Sequence, residues 1–254
     1  MDKSDLIVCL SGGLGNRLHT LYSCHYLTLF HKIIFTYEWT NDYGSGCRAD
    51  HLFETDLNFI YSEQDIDYTN RILLEGNILK KQDLDKKIYW KQPYAAQYEN
   101  FSITDTLYKS VFYSIKFNQI VEQKINSIVI PDKTIGIHVR GGDIKDGSID
   151  PSRKYIGTNK FIQLMNDELS KNPNTVFFLS CENQEDEIVL CENFDHKNII
   201  KLKIDSHDRR TVNGVINAFV QLVLLSKCSS IIGINSSFST FACRIGNAKK
   251  INLG

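Results

Sequence analysis

The sequence predicts an α/β fold resting on mostly parallel sheets. Two observations point that way. Short apolar runs rich in β-branched and aromatic residues alternate with stretches of helical periodicity. The glycine-rich and charged loops fall directly after the apolar runs, where the carboxyl ends of parallel strands gather polar groups.

The elements follow in order. DLIVCL (5–10) reads as a buried strand, and the loop SGGLGNR opens a helix to about Phe30 with Leu14, Leu18, Leu21 and Tyr22 on one face. IIFTY (33–37) is the next strand. Residues 39–90 are less regular and close on the strand KKIYW (86–90). From KTIGIHV (133–139) the alternation becomes clean. That strand runs into the charged loop RGGDIKDGSIDP, and a helix follows over about 159–169. Next come the strand NTVFFLS (174–180), a short helix in ENQEDEIVLCENF (182–194) and the strand KNIIKL (197–202). A helix over about 211–227 carries Val215, Ala218, Phe219, Leu222 and Leu225 at helical spacing. The strand SIIGI (230–234), the turn NSSFS, a helix in FACRIG and the strand KKINL complete the half. This half is a Rossmann-like unit, and the first half begins in the same way. Two such lobes, 1–130 and 131–254, facing a central cleft would be a compact GT-B-like arrangement.

Bulk properties narrow the function. With 42% hydrophobic and 23% charged residues, the 254-residue chain has globular composition. A net charge of −1 gives no general attraction for nucleic acid or an anionic membrane. The seven cysteines form no CxxC pair and mostly sit in apolar runs, as buried free thiols of a reducing compartment would. The apolar run near the start is too short for a signal segment or a membrane span. A cytoplasmic protein is therefore expected, bacterial or virus-encoded and acting in host cytoplasm.

Three loops carry candidate chemistry. Gly12-Gly13-Leu14-Gly15-Asn16-Arg17 joins a strand to a helix, where backbone can approach a ligand and helix-start amides favour an anion. It is neither a dinucleotide fingerprint nor a P-loop, since position 18 is Leu and no Gly-Lys-Ser/Thr follows. Arg17 adds a planar cation suited to phosphate; the alternative is a plain strand-to-helix turn. In His138-Val139-Arg140-Gly141-Gly142-Asp143, His138 and Arg140 lie two apart on an extended strand. An arginine beside glycines suits a diphosphate, and Asp143, Asp146 or Asp150 could take a hydroxyl proton. A core histidine and a loop-bracing ion pair are the structural alternatives. In Asn235-Ser236-Ser237-Phe238-Ser239, hydroxyls and amides meet at a helix start, which suits capping as well as phosphate. Arg209 and Arg210 precede the long helix either as added charge or as surface residues of a capping segment.

GGLGNRL, IHVRGGD and NSSFSTFA resemble, in that order, the motifs of the fucosyltransferase superfamily. It includes bacterial α-1,2 enzymes, α-1,6 enzymes of the nodulation type and protein O-fucosyltransferases. YWKQPYAAQYENF (89–101), WTNDYGSGCRADHLF (39–53) and LLSKCSSIIG (224–233) extend the resemblance over nearly the whole chain. It implies a GT-B fold, a nucleotide-sugar donor, inversion at the anomeric carbon, no metal and a glycan acceptor. Carried over, Arg140 is a donor-phosphate ligand and His138 lines the nucleotide pocket. Ser236, Ser237 and Phe238 contact the diphosphate, and Gly13, Gly15, Asn16 and Arg17 shape the cleft. Catalysis would fall to Arg140 with Asp143 or Asp146. Two departures stand out. Gly141 replaces a second arginine common in relatives, and Gln221 stands nearest an aspartate that reads guanine. Gln both donates and accepts, so a UDP-sugar such as UDP-xylose competes with the default, GDP-fucose. Rival classes are a non-catalytic nucleotide- or glycan-binding module and a phosphotransferase, the latter without a Walker-type loop here.

Overall fold

The computed structural model describes residues 5–40, 42, 45–61, 68–141 and 155–253. The chain divides into two units, residues 1–122 with 208–216, and residues 123–207 with 217–254.

The first unit is built on strands β1 (Leu6–Leu10), β2 (Thr36–Trp39), β3 (Phe53–Glu54), β4 (Asn58–Ile60), β5 (Ile72–Leu74), β6 (Ile78–Leu79) and β7 (Ile88–Lys91). Short strands β8 (Gln97–Tyr98), β9 (Phe101–Ser102) and β10 (Lys116–Phe117) and helices α1 (Leu14–His31) and α2 (Asp105–Phe112) complete it. The five-stranded sheet has the order β4-β2-β1-β7-β5, and every pairing in it is parallel. The second strand differs from the IIFTY reading. Lys32 ends α1 in a left-handed turn and Ile34 stays 70% exposed, so 33–35 act as a connector. Ladder pairing starts only where Thr36 meets Ile7.

The apolar face expected for α1 is part of a wider burial. Arg17, His19, Thr20, Ser23 and His25 are buried along with the leucines. Tyr22 packs on Phe112 of α2 with centroids 5.0 Å apart, and Ser23 Oγ accepts from the Ala96 amide at 2.9 Å. A helix covered on several sides tolerates polar residues only when they find partners. Residues 208–216 join this unit through Gly46, whose amide donates to the Arg209 carbonyl at 2.8 Å. A side chain at Gly46 would run into the Arg210 backbone.

The second unit opens with α3 (Gln119–Asn126), whose first residues count with the first unit. It then alternates β11 (Ile135–Val139), α4 (Thr158–Lys171), β12 (Phe177–Cys181), α5 (Gln184–Asn193), β13 (Ile199–Lys201), α6 (Val212–Ser226, its residues up to 216 counting with the first unit), β14 (Ser230–Gly233), α7 (Ser237–Gly246) and β15 (Lys249–Asn252). The strand–helix alternation is the one read from sequence. The sheet order is β13-β12-β11-β14-β15, again parallel throughout. Ile137 and Val139 point to a core shared with Phe161 and Met165 of α4 and Leu190 of α5. Gly136 and His138 alternate to the other face. There a Cβ on Gly136 would come within 2.7 Å of Leu225, so the missing side chain lets α6 seat close to the sheet. Each large apolar side chain buried in this way contributes roughly 1.5–3 kcal/mol.

Five of the seven cysteines are buried and all are unpaired by disulfide. Among the described residues, no helix is long and apolar enough to cross a membrane.

Candidate active site

Parallel topology decides where polar loops gather. In the second unit, β11 feeds β12 and β13 on one side, and the chain returns to place β14 and β15 on the other. Strand order reverses between β11 and β14, and ligands of open α/β sheets bind outside the carboxyl ends at such a reversal. The loops leaving these two strands are Arg140-Gly141 and Ile234-Asn235-Ser236.

His138 and the serine turn meet there. The imidazole is 2% exposed and stacks on the Phe238 ring, centroids 4.9 Å apart and 16° from parallel. Gly233 is its ladder partner, and a Cβ on Gly233 would stand 2.8 Å from the His138 carbonyl. Among the described residues neither ring nitrogen has a hydrogen-bond partner of good geometry, although the Ser180 backbone lies close enough to favour the protonated ring. Burial nevertheless pushes the imidazole down to about 3, with the charge of Arg140 adding to the push. The ring is neutral at physiological pH.

Arg140 is mostly buried and ion-paired with Glu182, Nε to Oε1 3.7 Å. The other carboxylate oxygen of Glu182 accepts from the Gly141 amide at 3.2 Å. Gly141 sits against Asp186, Asn183 and Tyr155, and a Cβ there would come within 2.8–3.2 Å of them. Those three are bonded together, Tyr155 Oη and Asn183 Nδ2 each donating to the Asp186 carboxylate at 2.8 and 2.7 Å. A second arginine at position 141 would have to displace this cluster. Gly142, Asp143, Asp146 and Asp150 lie outside the described residues.

In the serine turn, Ser236 caps α7, its Oγ accepting from the Ser239 amide at 3.2 Å. Ser237 opens the helix and Phe238 supplies the stacking ring. Lys250 reaches in from β15. Its Nζ donates to Thr240 Oγ1 at 2.5 Å, Asn235 Oδ1 at 3.3 Å and the Ser236 carbonyl at 3.5 Å. Burial pulls this ammonium below the usual lysine range.

Gln221, nearest to the base-reading position of the relatives, makes a contact inside the fold. It is 5% exposed, and its Oε1 accepts from Ser180 Oγ at 2.7 Å. Ser180 is the ladder neighbour of His138, so Gln221 ties α6 to the sheet beneath the histidine.

The sheet of the first unit is also parallel throughout, but its last two strands are exchanged, the edge strand β5 preceding the inner β7. Its strand order reverses between β1 and β7, whose loops carry the glycine turn and Gln92. Gln92 Nε2 donates to the Ser11 carbonyl and its Oε1 accepts from Ser11 Oγ. Its φ of 40° is unusual for a residue with a side chain. Gly12 has φ +71° and donates its amide to Asp42 Oδ2 at 2.9 Å. Gly13 is the N-cap of α1 without a side-chain cap, and no acid lies in the first turn. Leu14 and Gly15 follow as buried helix-start positions, and Asn16 is half-buried.

Arg17, expected to meet a phosphate, is turned into the fold and fully buried. Its Nε donates to the Gly12 carbonyl, Nη1 to the Leu10 and Thr40 carbonyls, and Nη2 to Asp42, all at 2.7–2.8 Å. The guanidinium also lies 5.1 Å from the Trp39 ring centre. Its fork is committed to fixing the carboxyl ends of β1 and β2. Arg210 pairs with Asp208 in its own exposed turn, and Thr211 Oγ1 accepts from the Gly214 amide at the start of α6.

Asp42, Gln92, Glu182 and Lys250 were not singled out from sequence. Gln92 and Glu182 share one signal, a polar side chain two residues past a predicted apolar strand; Asp42, farther from its strand, and Lys250 have none. A depression of about 350 Å³ lined by Asp132, Lys133, Glu168 and Lys171 lies at the amino ends of the second sheet. It is opposite the strand ends that gather His138 and Arg140, and it mixes charge signs, so it is not the candidate site. Among the described residues no three His, Cys, Asp or Glu cluster as metal ligands.

No protein-family model matches the chain, and no curated protein matches it by sequence. Solved structures do. One is a NodZ α-1,6-fucosyltransferase soaked with GDP-fucose, 12% identical, TM-score 0.61, covering 96% of this chain and 93% of that one. POFUT1 in complex with GDP-fucose is 9% identical at TM-score 0.54 and covers 98% of each chain. A variant of Arabidopsis thaliana FUT1 in complex with GDP is 14% identical at TM-score 0.59, covering 98% of this chain and 70% of that one. Together with the two parallel-sheet units, these likenesses show an α/β protein with a GT-B-like fold. Within that class the fold is fucosyltransferase-like.

Proposed function

We propose that this chain is an inverting, metal-independent glycosyltransferase that moves a sugar, fucose from GDP-fucose first, onto a glycan hydroxyl. One observation carries the reading. Arg140 and His138 at the exit of β11 and the Ser236-Ser237-Phe238 turn after β14 flank the strand-order reversal of the second unit, with His138 stacked on Phe238. Residues 131–254 form the nucleotide-sugar lobe in this reading, and 1–130 the acceptor lobe.

The acceptor oxygen attacks the anomeric carbon from the face opposite the leaving group. A C–O bond to the acceptor forms as the bond to the diphosphate oxygen breaks. The hydroxyl proton passes to a carboxylate, Asp143 or Asp146. Charge growing on the diphosphate is met by Arg140 and by the hydroxyls and amides of the serine turn, fixed donors that need no reorganisation during the reaction.

The case for a UDP-sugar rested on Gln221 at a base edge. Its Oε1 is committed to Ser180, so GDP is the first donor to test and UDP the comparison.

The test is calorimetric titration with GDP, UDP and ADP in EDTA, followed by donor turnover. GDP binding with transfer or slow donor hydrolysis supports the reading. Binding without either makes the protein a binding module, and binding of no nucleotide defeats it. Arg140→Ala should lower turnover by about 10²–10³-fold while the protein stays folded.

A further inference from the structure

We infer that Glu182 is a positioning residue that aims Arg140 and fixes the backbone after β11. This deepens the transferase reading and rests on it.

One carboxylate serves two neighbours in sequence. Oε1 faces Arg140 Nε at 3.7 Å and Oε2 accepts from the Gly141 amide at 3.2 Å. Glu182 itself stands at the carboxyl end of β12, its own amide donating to the Val139 carbonyl at 3.1 Å. Its backbone is thus tied to the strand whose exit its side chain holds. The next residue, Asn183, caps α5 through Oδ1 to the Asp186 amide at 2.8 Å. Asp186 and Tyr155 complete the cradle against which Gly141 rests. The strand end, the amide and the guanidinium are therefore referenced to one rigid corner, as precise placement of a reacting group requires.

The carboxylate lies 3.7 Å from Nε of Arg140, close enough for charge attraction to hold the guanidinium toward this corner. It also places a negative charge beside the group assigned to an anionic ligand. Loss of that charge should not weaken nucleotide binding, because it removes a repulsion, but it should release the aim of Arg140. A merely structural glutamate would lower stability, affinity and turnover together.

The test uses the full chain with Glu182→Gln and Glu182→Asp. For Glu182→Gln, GDP affinity should stay within about threefold of wild type or tighten. The kcat for transfer should fall at least about tenfold, with partial recovery in Glu182→Asp. Turnover within about threefold of wild type in Glu182→Gln, or parallel loss of melting temperature, GDP binding and turnover in both variants, overturns the proposal. A double-mutant cycle of Glu182→Gln with Arg140→Lys, read by urea denaturation, needs no activity. The effects of the two substitutions should fail to add, and additivity overturns the proposal even if the wild-type chain binds no nucleotide and the transferase reading fails.

Discussion

The His138 imidazole lies flat on the Phe238 ring, centroids 4.9 Å apart, which joins the exit of β11 to the first turn of α7 through one stack whose histidine is buried. The stack brings a titratable ring into the core, and that has a pH consequence. In the unfolded chain this histidine titrates near 6.5, and in the fold near about 3. Between those values the unfolded state holds one more proton, so stability rises with pH across the window and falls as pH drops below 6.5. Urea midpoints from pH 7 to 4 should fall less steeply for His138→Phe than for the parent, by about one proton of linkage. Parallel slopes would mean that the ring charges freely in the fold.

Arg17 separates a structural arginine from a ligand-binding one. Its substitution by Ala removes the ion pair to Asp42 and one donor from each of the Gly12, Leu10 and Thr40 carbonyls. Unfolding free energy should drop by about 3–5 kcal/mol, with Lys recovering only part because an ammonium cannot span the same fork. Arg140→Ala should show the opposite pattern, a near-normal melting temperature with weak nucleotide binding. Equal stability of Arg17→Ala and wild type would return Arg17 to the ligand.

Gln221→Leu should cost about 1–3 kcal/mol, since Ser180 Oγ is left buried without its acceptor. The ratio of GDP to UDP affinity should not move. A reversal of that ratio, read by calorimetry, would put Gln221 back at a base edge.

Lys250 braces the serine turn by contacts to Asn235, Ser236 and Thr240. Lys250→Met keeps the length and removes the charge and the donors. Nucleotide diphosphate affinity should weaken about tenfold, with the cost of one charge-assisted contact as the guide. Unchanged affinity would confine Lys250 to surface packing.

Much of the second unit was legible before the fold was known. Its inner strands β11, β12 and β14 are mostly apolar and buried, as the inner strands of a parallel sheet covered on both faces are, and α6 carries clear spacing. The first unit was harder to read. Asn58–Ile60 and Ile72–Leu74 are three-residue strands at or near the sheet edges, too short for a periodic signal. α1 carries Arg17, His19 and His25 inside a buried surface, which blurs its apolar face.

The sequence by itself determined the alternation of strand and helix, the three polar loops and their order, and the pairing of His138 with Arg140 at one strand end. Only the tertiary structure decided which of the candidate side chains are engaged in holding the fold. Arg17 and Gln221 look like ligand groups in one dimension, yet the Arg17 guanidinium is engaged by the Leu10, Gly12 and Thr40 carbonyls and by Asp42, and Gln221 Oε1 accepts from Ser180 Oγ. Glu182 and Lys250 look like surface charges, yet each reaches a candidate loop. Parallel topology is the physical reason, since it sets residues far apart in sequence side by side at the carboxyl edge of one sheet.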